Sequence, residues 1–484
     1  MYTKHTRLDF EFYDFLERFL ILLKKPVFSC NTFLFIPKLS HSNINKYQTC
    51  LENNIVKLVA YIVVCPFRIL IRVVLAFWRN FLIKDNLQRI ASILEVQKID
   101  HLFISHVVKR YPDLQNDNYF GKLPYLLSQK NINVGLIYIQ HHKINIESRN
   151  LHLLNTNLKF IEFSLLISKQ VYGCLRICRY IFVHDFNYFF AHLYAIEHQF
   201  SKSTLANIIY SQKIIKLCQI LGIANLHLTF EGNAFEFKIT SDIKVSKTNV
   251  YLHQFAPITQ GHLGLQRFLK QIDNDRITIL TTSDNITNQF KSITNSSINI
   301  ITSGSFKCPD FIHGGFFADQ KCVLILPEGT LDQTLKFALL TEKLSLKFPD
   351  INFIFRLHPD LIERDIIVQV IENFCSSNLF ISQKSLDEDF KRSKVSIFNS
   401  SATGVQGMYF GVIPIHVAEF DSNIEVMNPF YLLEGEFFKA STFSSVYIKL
   451  GFILSRTGDS SYFELYEHAN QIFQPFNYDM LKIY

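Results

Sequence analysis

Ile351 to Asp360 reads INFIFRLHPD, and this stretch decides the fold. INFIF is a short apolar run with the length and composition of a buried strand. It ends in a polar turn, where Pro359 fixes the backbone and stops the pairing. The text on either side repeats the pattern. Upstream, KCVLILPEG (Lys321–Gly329) is another such strand, and TLDQTLKFALLTEKLSLKF (Thr330–Phe348) is the helix joining the two. Downstream come NLFISQ (Asn378–Gln383), SLDEDFKRS (Ser385–Ser393) and KVSIFNSS (Lys394–Ser401). ATGVQGMYF then reads as a helix closed by Gly411, and GVIPIHV as the last strand. Strands alternating with helices in this way predict a parallel sheet.

A second alternating series lies nearer the N-terminus. It starts at KIDHLFISHVV (Lys98–Val108) and continues through NYFGKLPYLLSQKNINVGLIYIQHH (Asn118–His142). KFIEFSLLIS and YIFVHDF are further apolar runs. SKSTLANIIYSQKIIKLCQILGI (Ser201–Ile223) is helical, and NLHLTFEG is a strand ending at Glu231. RITILTTSD, from Arg276, reads as the start of the later series. The expected organisation is α/β: two Rossmann-like domains facing a cleft. An N-terminal helical extension covers 1–95, and the first domain covers 96–270. The second domain covers 271–455, and a C-terminal helical segment over 456–484 crosses back onto the first domain.

The chain has 484 residues, too many for one ordinary core, and 48% are hydrophobic, enough to bury two. A formal charge of +7 suits an anionic partner. No Arg/Gly-rich or Lys-rich run accompanies it, so nucleic acid is not expected as a partner. The nine cysteines are odd in number and form no C-x-x-C pair, which points to a reduced, cytosolic chain without a zinc site. The opening MYTKHTRLDFEFYDF lacks the order of a secretory leader.

Residues 55–83 are the most apolar stretch, interrupted by Lys57, Arg68, Arg72 and Arg79. On a helical wheel these four fall within about 60° of one another. A narrow basic stripe on an apolar helix, with Phe77 and Trp78 near its end, suits the plane of an anionic membrane surface. The alternative is a helix packed on the domain with the stripe in water. Pro66 is expected to kink it.

In open parallel sheets, ligands bind where strands end at their carboxyl edge. His358 is at such an edge and can contact a phosphate and stabilise charge on a leaving nucleotide. Arg356 is two residues earlier and is expected on the same strand face. Ser400 and Ser401 open the helix after KVSIF, with Thr403 beside them. Hydroxyls and unpaired backbone N–H groups at a helix start make a place for phosphate. Gly329 lets backbone amides approach the donor. On the other wall, Glu231 ends a strand, Gly232 permits an unusual backbone there, and the carboxylate is placed to take a proton from an acceptor hydroxyl. Glu236, five residues on, belongs either to this group or to the following helix. His253 and Gln254, in YLHQFAP (Tyr251–Pro257), are expected to line the acceptor or donor side. The acidic runs Asp273–Asp275 and Asp387–Asp389 resemble a metal-holding D-x-D pattern. The second opens a helix, where acids favour the dipole. No metal and no cofactor is expected.

HP on one loop and SS on the next resemble the bacterial polysialyltransferases and the capsule Kdo transferases. EGNAFE followed by YLHQFAP is similar to a related group of bacterial surface-carbohydrate biosynthesis proteins, as is NYFGKLP. The resemblance covers roughly residues 98–430. It implies a GT-B fold and an inverting, metal-independent glycosyltransferase using a CMP-activated donor, such as Kdo or another nonulosonic acid. It implies Glu231 as base, His358 beside the donor phosphate, and Ser400 with Ser401 as the phosphate-binding pair. The acceptor is a glycan or lipid-linked glycan of a capsule or lipopolysaccharide. The implied location is peripheral, on the inner face of the bacterial cytoplasmic membrane. Phe235 stands where that group has Trp, and Leu252 where it has Gln, which leaves the donor open. A CDP-glycerol-type glycerophosphotransferase, with His253 as base, and a UDP-sugar-using GT-B enzyme remain alternatives. So does a non-catalytic GT-B scaffold.

Overall fold

The structure is a computed structural model. It describes residues 55–82, 85–107, 115–139, 152–184, 202–243, 247–259, 265, 268–270, 272, 274–294, 298–309, 321–329, 331–361, 365–374, 376–399, 401–417, 428–430, 438–455 and 462–482.

Thirteen strands form two sheets in the described residues. The first holds β1 (His101–His106), β2 (Val134–Ile139), β3 (His152–Leu154), β4 (Asn225–Thr229), β5 (Asn249–His253), β6 (Ile277–Thr281) and β7 (Asn299–Thr302), in the order β3-β2-β1-β4-β5-β6-β7. The second holds β8 (Cys322–Leu326), β9 (Asn352–Phe355), β10 (Leu379–Ile381), β11 (Val395–Phe398), β12 (Ile413–Val417) and β13 (Phe438–Ala440), in the order β10-β9-β8-β11-β12-β13. Every strand pair in both sheets is parallel. The central strands are buried along nearly their whole length, which is why they read as continuous apolar runs.

The helices, in chain order, begin with α1 (Ile55–Leu82), α2 (Leu87–Val96), α3 (Leu123–Gln129), α4 (Phe160–His184), α5 (Lys202–Leu221), α6 (Ala234–Asp242) and α7 (Asp284–Ile293). They continue with α8 (Leu331–Lys347), α9 (Asp365–Glu372), α10 (Leu386–Lys391), α11 (Ala402–Met408), α12 (Phe443–Ser455) and α13 (Tyr462–Ile472). In each sheet the chain starts in the interior, winds out to one edge, returns and winds out to the other. The direction reverses between β1 and β4 in the first sheet and between β8 and β11 in the second. Those two reversals are where doubly wound sheets open a crevice at their carboxyl edge. Two such domains face a common cleft, which is the GT-B arrangement.

Four sequence expectations change. The division after residue 270 falls inside the first sheet, because β6 pairs with β5 and β7 with β6. RITILTTSD reads like the opening strand of a new series, and only pairing decides which sheet receives it. KFIEFSLLIS and YIFVHDF are not separate runs; the first lies in α4 and the second begins within it. GVIPIHV is followed by one more strand, β13. The N-terminal extension is not a separate layer, since Leu87, Ile90, Ala91 and Leu94 of α2 belong to the first-domain core.

The C-terminal segment contacts both domains. α13 packs Leu465, Ala469, Ile472 and Phe473 into the second-domain cluster that holds Tyr409 and Phe410. Its end then bonds to the first domain. Thr282 Oγ1 donates to the Ile472 carbonyl and Ser283 Oγ to the Gln471 carbonyl, both at 2.6 Å. Beyond it, Met480 lies with Tyr251 and Leu280.

α1 has two unlike sides. Val73, Ala76 and Phe77 pack on Phe163, Leu166 and Ile167 of α4, and Phe77 meets the Phe163 ring edge-on at 4.9 Å. Asn80 fastens the same side through both backbone groups of Leu158. Phe67, Leu70, Ile71, Val74, Leu75 and Trp78 face outward, with Phe67 64% and Trp78 65% exposed. The helix runs through Pro66. The side chains of Lys57 and Arg79 lie outside the described residues. Among the described residues, no helix is long and apolar enough to cross a membrane.

Candidate functional site

At the first-domain reversal, β4 delivers the chain to a turn built around one buried carboxylate. Gly232 sits at φ +83°, a conformation that other residues rarely adopt, and the chain doubles back there. Asn233 caps α6 in a capping box with Glu236. Glu236 is fully buried. Its Oε2 accepts from the backbone N–H groups of Glu231, Gly232 and Asn233 at 3.2, 3.1 and 2.9 Å. Its Oε1 accepts from Thr229 Oγ1 at 2.6 Å and Asn233 Nδ2 at 2.8 Å. Burial pushes this carboxyl up to about 8, against the hydrogen bonds from Thr229 and Asn233. Glu236 is therefore a brace of the turn, the helix role among the two that sequence allowed. Glu231 is half-buried at the mouth of that turn. His106, at the end of neighbouring β1, lies 3.1 Å from Thr229 Oγ1. The Thr229 hydroxyl donates to Glu236, so it accepts from the ring.

A cavity of about 320 Å³ opens at the neighbouring strand ends, and Phe230 at the start of the turn donates its N–H to the carbonyl of His253 in the cavity wall. Residues 116–121, His253 to Phe255 and Ser303 to Lys307 line it from the first domain, and Gln406 of α11 lines it from the second. Gln406 Nε2 donates to the Lys307 carbonyl at 3.3 Å, across the domains. Asp117 holds the first of these loops together. It accepts from the N–H groups of Tyr119 and Phe120 at 2.8 and 2.9 Å and from Ser105 Oγ at 2.8 Å. Burial pushes its carboxyl up, with the backbone N–H groups opposing. His253 lies in the cavity wall with Nε2 2.9 Å from His227 Nδ1, and burial lowers it to about 3. Gln254 has a structural task. Its Oε1 accepts from Thr282 N–H and its Nε2 donates to the Ala256 carbonyl, both at 3.0 Å.

On the second domain, three adjacent strand ends carry the predicted donor residues. His358 follows β9, Gly329 follows β8 and Ser401 follows β11, and β8 lies between the other two. A methyl group on Gly329 would stand 2.7 Å from His358 Nδ1, so a larger residue there would push the His358 ring aside. Ser401 caps α11, its Oγ accepting from Thr403 N–H at 3.2 Å. Ser400 and Asp273 lie outside the described residues.

Arg356 departs from its expected place. Its guanidinium donates to Asp389 Oδ2 and to the Lys384 carbonyl, both at 2.7 Å. Asp389 is fully buried, and Arg392 bonds its other oxygen at 2.5 Å. Two arginines share one buried carboxylate, and this commits Arg356 to the β10 side, away from the His358 loop. Asp387 to Asp389 is accordingly the first turn of α10, with Asp389 as its buried anchor. Among the described residues, no group of three or more His, Cys, Asp or Glu side chains is placed to hold a metal ion.

Sequence reading passed over Asp117, His106, His227 and Lys307. Asp117 stands directly before the quoted NYFG, and an aspartate preceding a turn glycine by four residues is the signal that would have found it. Lys307 Nζ lies 3.2 Å from the centroid of the Phe255 ring, on the wall of the same cavity, and nothing in its local sequence indicates that.

No family model matches the sequence, and no curated protein matches it significantly. Solved structures resemble it at low identity. One is a UDP complex of S. aureus MnaA, with 8% identity, 79% of this chain and 94% of that chain covered and a TM-score of 0.45. Another is a UDP-GlcNAc 2-epimerase from Neisseria meningitidis bound to UDP-GlcNAc, with 10% identity, 79% and 97% covered and a TM-score of 0.44. A third is Acinetobacter baumannii MurG, with 9% identity, 79% and 99% covered and a TM-score of 0.44. These likenesses are remote, and nothing about activity follows from them.

Proposed function

We propose that the protein is an inverting glycosyltransferase that draws on a nucleotide-activated sugar. The observation that carries this is the closure of the Gly329 loop on His358, beside the Ser401 cap, at the carboxyl edge where the second sheet reverses. The donor phosphates lie there, touched by His358, by the Ser401 hydroxyl and by backbone N–H groups at the start of α11. The acceptor lies over the first-domain turn. Its hydroxyl oxygen attacks the anomeric carbon and the bond from that carbon to the phosphate oxygen breaks. The hydroxyl proton goes to Glu231, and the phosphate leaves with the bonding pair, stabilised by His358. The finer donor class, a CMP-linked nonulosonic acid such as Kdo, is supported by FRLHPD and NSSATG alone. The acceptor is a surface glycan or a lipid-linked glycan.

Gly329→Ala tests the donor site. The added methyl displaces the His358 ring, so calorimetry across CMP-, UDP- and CDP-activated donors should show affinity reduced at least tenfold for the nucleotide that binds wild type. Unchanged affinity for every nucleotide removes the donor site from these loops.

The outward face of α1 supports a peripheral seat on an anionic membrane. Six large apolar side chains lie exposed along it, with Arg68 and Arg72 beside them. Leu70→Glu with Val74→Glu should abolish co-sedimentation with anionic vesicles, and high salt should weaken it in wild type. Co-sedimentation indifferent to both changes rules the membrane seat out.

A further inference from the structure

Three histidine rings form a file through the first domain, from the far edge of its sheet to the cleft. His101 opens β1, His227 is in the middle of β4 and His253 ends β5. His101 Nδ1 lies 2.9 Å from His227 Nε2, and His227 Nδ1 lies 2.9 Å from His253 Nε2. His101 and His227 are buried, and Phe103 stacks on His227 with ring centroids 4.0 Å apart. At the far edge, Asn225 Nδ2 lies 3.1 Å from His101 Nε2, and Asn225 Oδ1 accepts from Asn249 Nδ2 at 3.2 Å.

The direction of each bond in the file follows from this first member. An amide nitrogen donates and does not accept. His101 Nε2 therefore accepts, and the His101 proton is on Nδ1. That proton goes to His227 Nε2, which places the His227 proton on Nδ1 as well. His227 in turn donates to His253 Nε2. The single proton of His253 is then on Nδ1, the ring lines the cavity, and among the described residues no hydrogen-bond partner takes that proton. Burial holds all three rings below their ordinary value, so each keeps one proton, as the file requires.

We infer that Asn225, His101 and His227 are positioning residues that lock His253 as a neutral Nδ1–H donor aimed into the cleft. A neutral donor suits an uncharged oxygen, and the ligand class is a hydroxyl or carbonyl oxygen of the acceptor sugar. That ligand class rests on the transferase reading; the lock does not. The lock also excludes His253 as a general base, because the one lone pair of its ring already accepts from His227.

Ring-nitrogen NMR of the unliganded full-length protein with isotopically labelled histidine decides the matter. The His253 signals are identified by their loss in His253→Gln. In wild type, His253 should carry its proton on Nδ1, the tautomer that free histidine disfavours. Asn225→Asp, read at alkaline pH where His101 keeps a single proton beside the new carboxylate, places an acceptor at the far edge, so His101 donates from Nε2 and the whole file should reverse, moving the His253 proton to Nε2. Should that variant not fold, His227→Phe cuts the file at similar shape and should release His253 to a mixture of tautomers. A His253 proton found on Nε2 in wild type, or a His253 tautomer unmoved by the variant that folds, overturns the proposal. Reversal should also lower turnover about tenfold with donor affinity unchanged, the loss of one hydrogen bond. A reversed tautomer in a protein with no transferase activity at all would uphold the lock and sink the transferase reading.

Discussion

At the first-domain edge of the cleft, Glu236, Thr229 and His106 are buried and bonded to one another, whereas at the second-domain edge Gly329, His358 and Ser401 are only half-buried. The first edge is braced from within by carboxylates and imidazoles that accept and donate in fixed directions. The second is shaped by a missing side chain and a helix cap. A braced edge holds a reacting group at one position, which is what proton transfer needs. An edge of small residues and backbone amides receives a phosphate without demanding a particular base or sugar.

The contrast breaks most readily at Glu231. Glu231→Gln keeps the shape and removes the proton acceptor, so turnover should fall by roughly 10²–10⁴ while donor affinity stays. Near-normal transfer by this variant would move the chemistry off the first domain.

Next in size is the brace itself. Glu236→Ala strands three backbone N–H groups and the Thr229 hydroxyl, and should lower stability by about 3–4 kcal/mol. Urea unfolding that shifts by much less would mean that the turn stands without its carboxylate.

Both domains should lose stability in acid. His227 and His253 of the first domain lie below the ordinary value of 6.5, His253 at about 3, mainly through burial. In the second domain His416 is lowered to about 3 for the same reason, with Lys439 adding to it. A ring held neutral in the fold takes up a proton only on unfolding. The stability it contributes is present above its unfolded pKa and is lost as pH falls toward the folded one. Each ring should remove up to about 1.4 kcal/mol per pH unit below the unfolded pKa. The slope in His227→Phe should be shallower by about one proton, read from denaturant midpoints across that range. An unchanged slope would mean that the file already carries a proton.

The smallest effect belongs to the Ser401 cap. Ser401→Ala should reduce stability by only about 1 kcal/mol. Its hydroxyl accepts from Thr403, and its own hydrogen remains to meet a phosphate, so nucleotide affinity should fall while the fold persists. Affinity that does not change confines Ser401 to capping.

Much of the fold was legible as text. A strand buried on both faces has no polar side, so INFIF, CVLIL and VSIF announce a parallel sheet by composition alone. The turn glycine at 232, the cap at Ser401 and the break at Pro359 are local backbone requirements, and local requirements are written in adjacent residues. Pairing is not local. RITIL is the same five residues in either sheet, and only its partners β5 and β7 place it in the first. For the same reason Arg356, expected beside the donor, is committed to Asp389, while Gln254 lines the cavity and also bonds Thr282. A side chain's remaining capacity depends on neighbours distant in sequence, and His101, His227 and His253 become one file only when β1, β4 and β5 lie side by side.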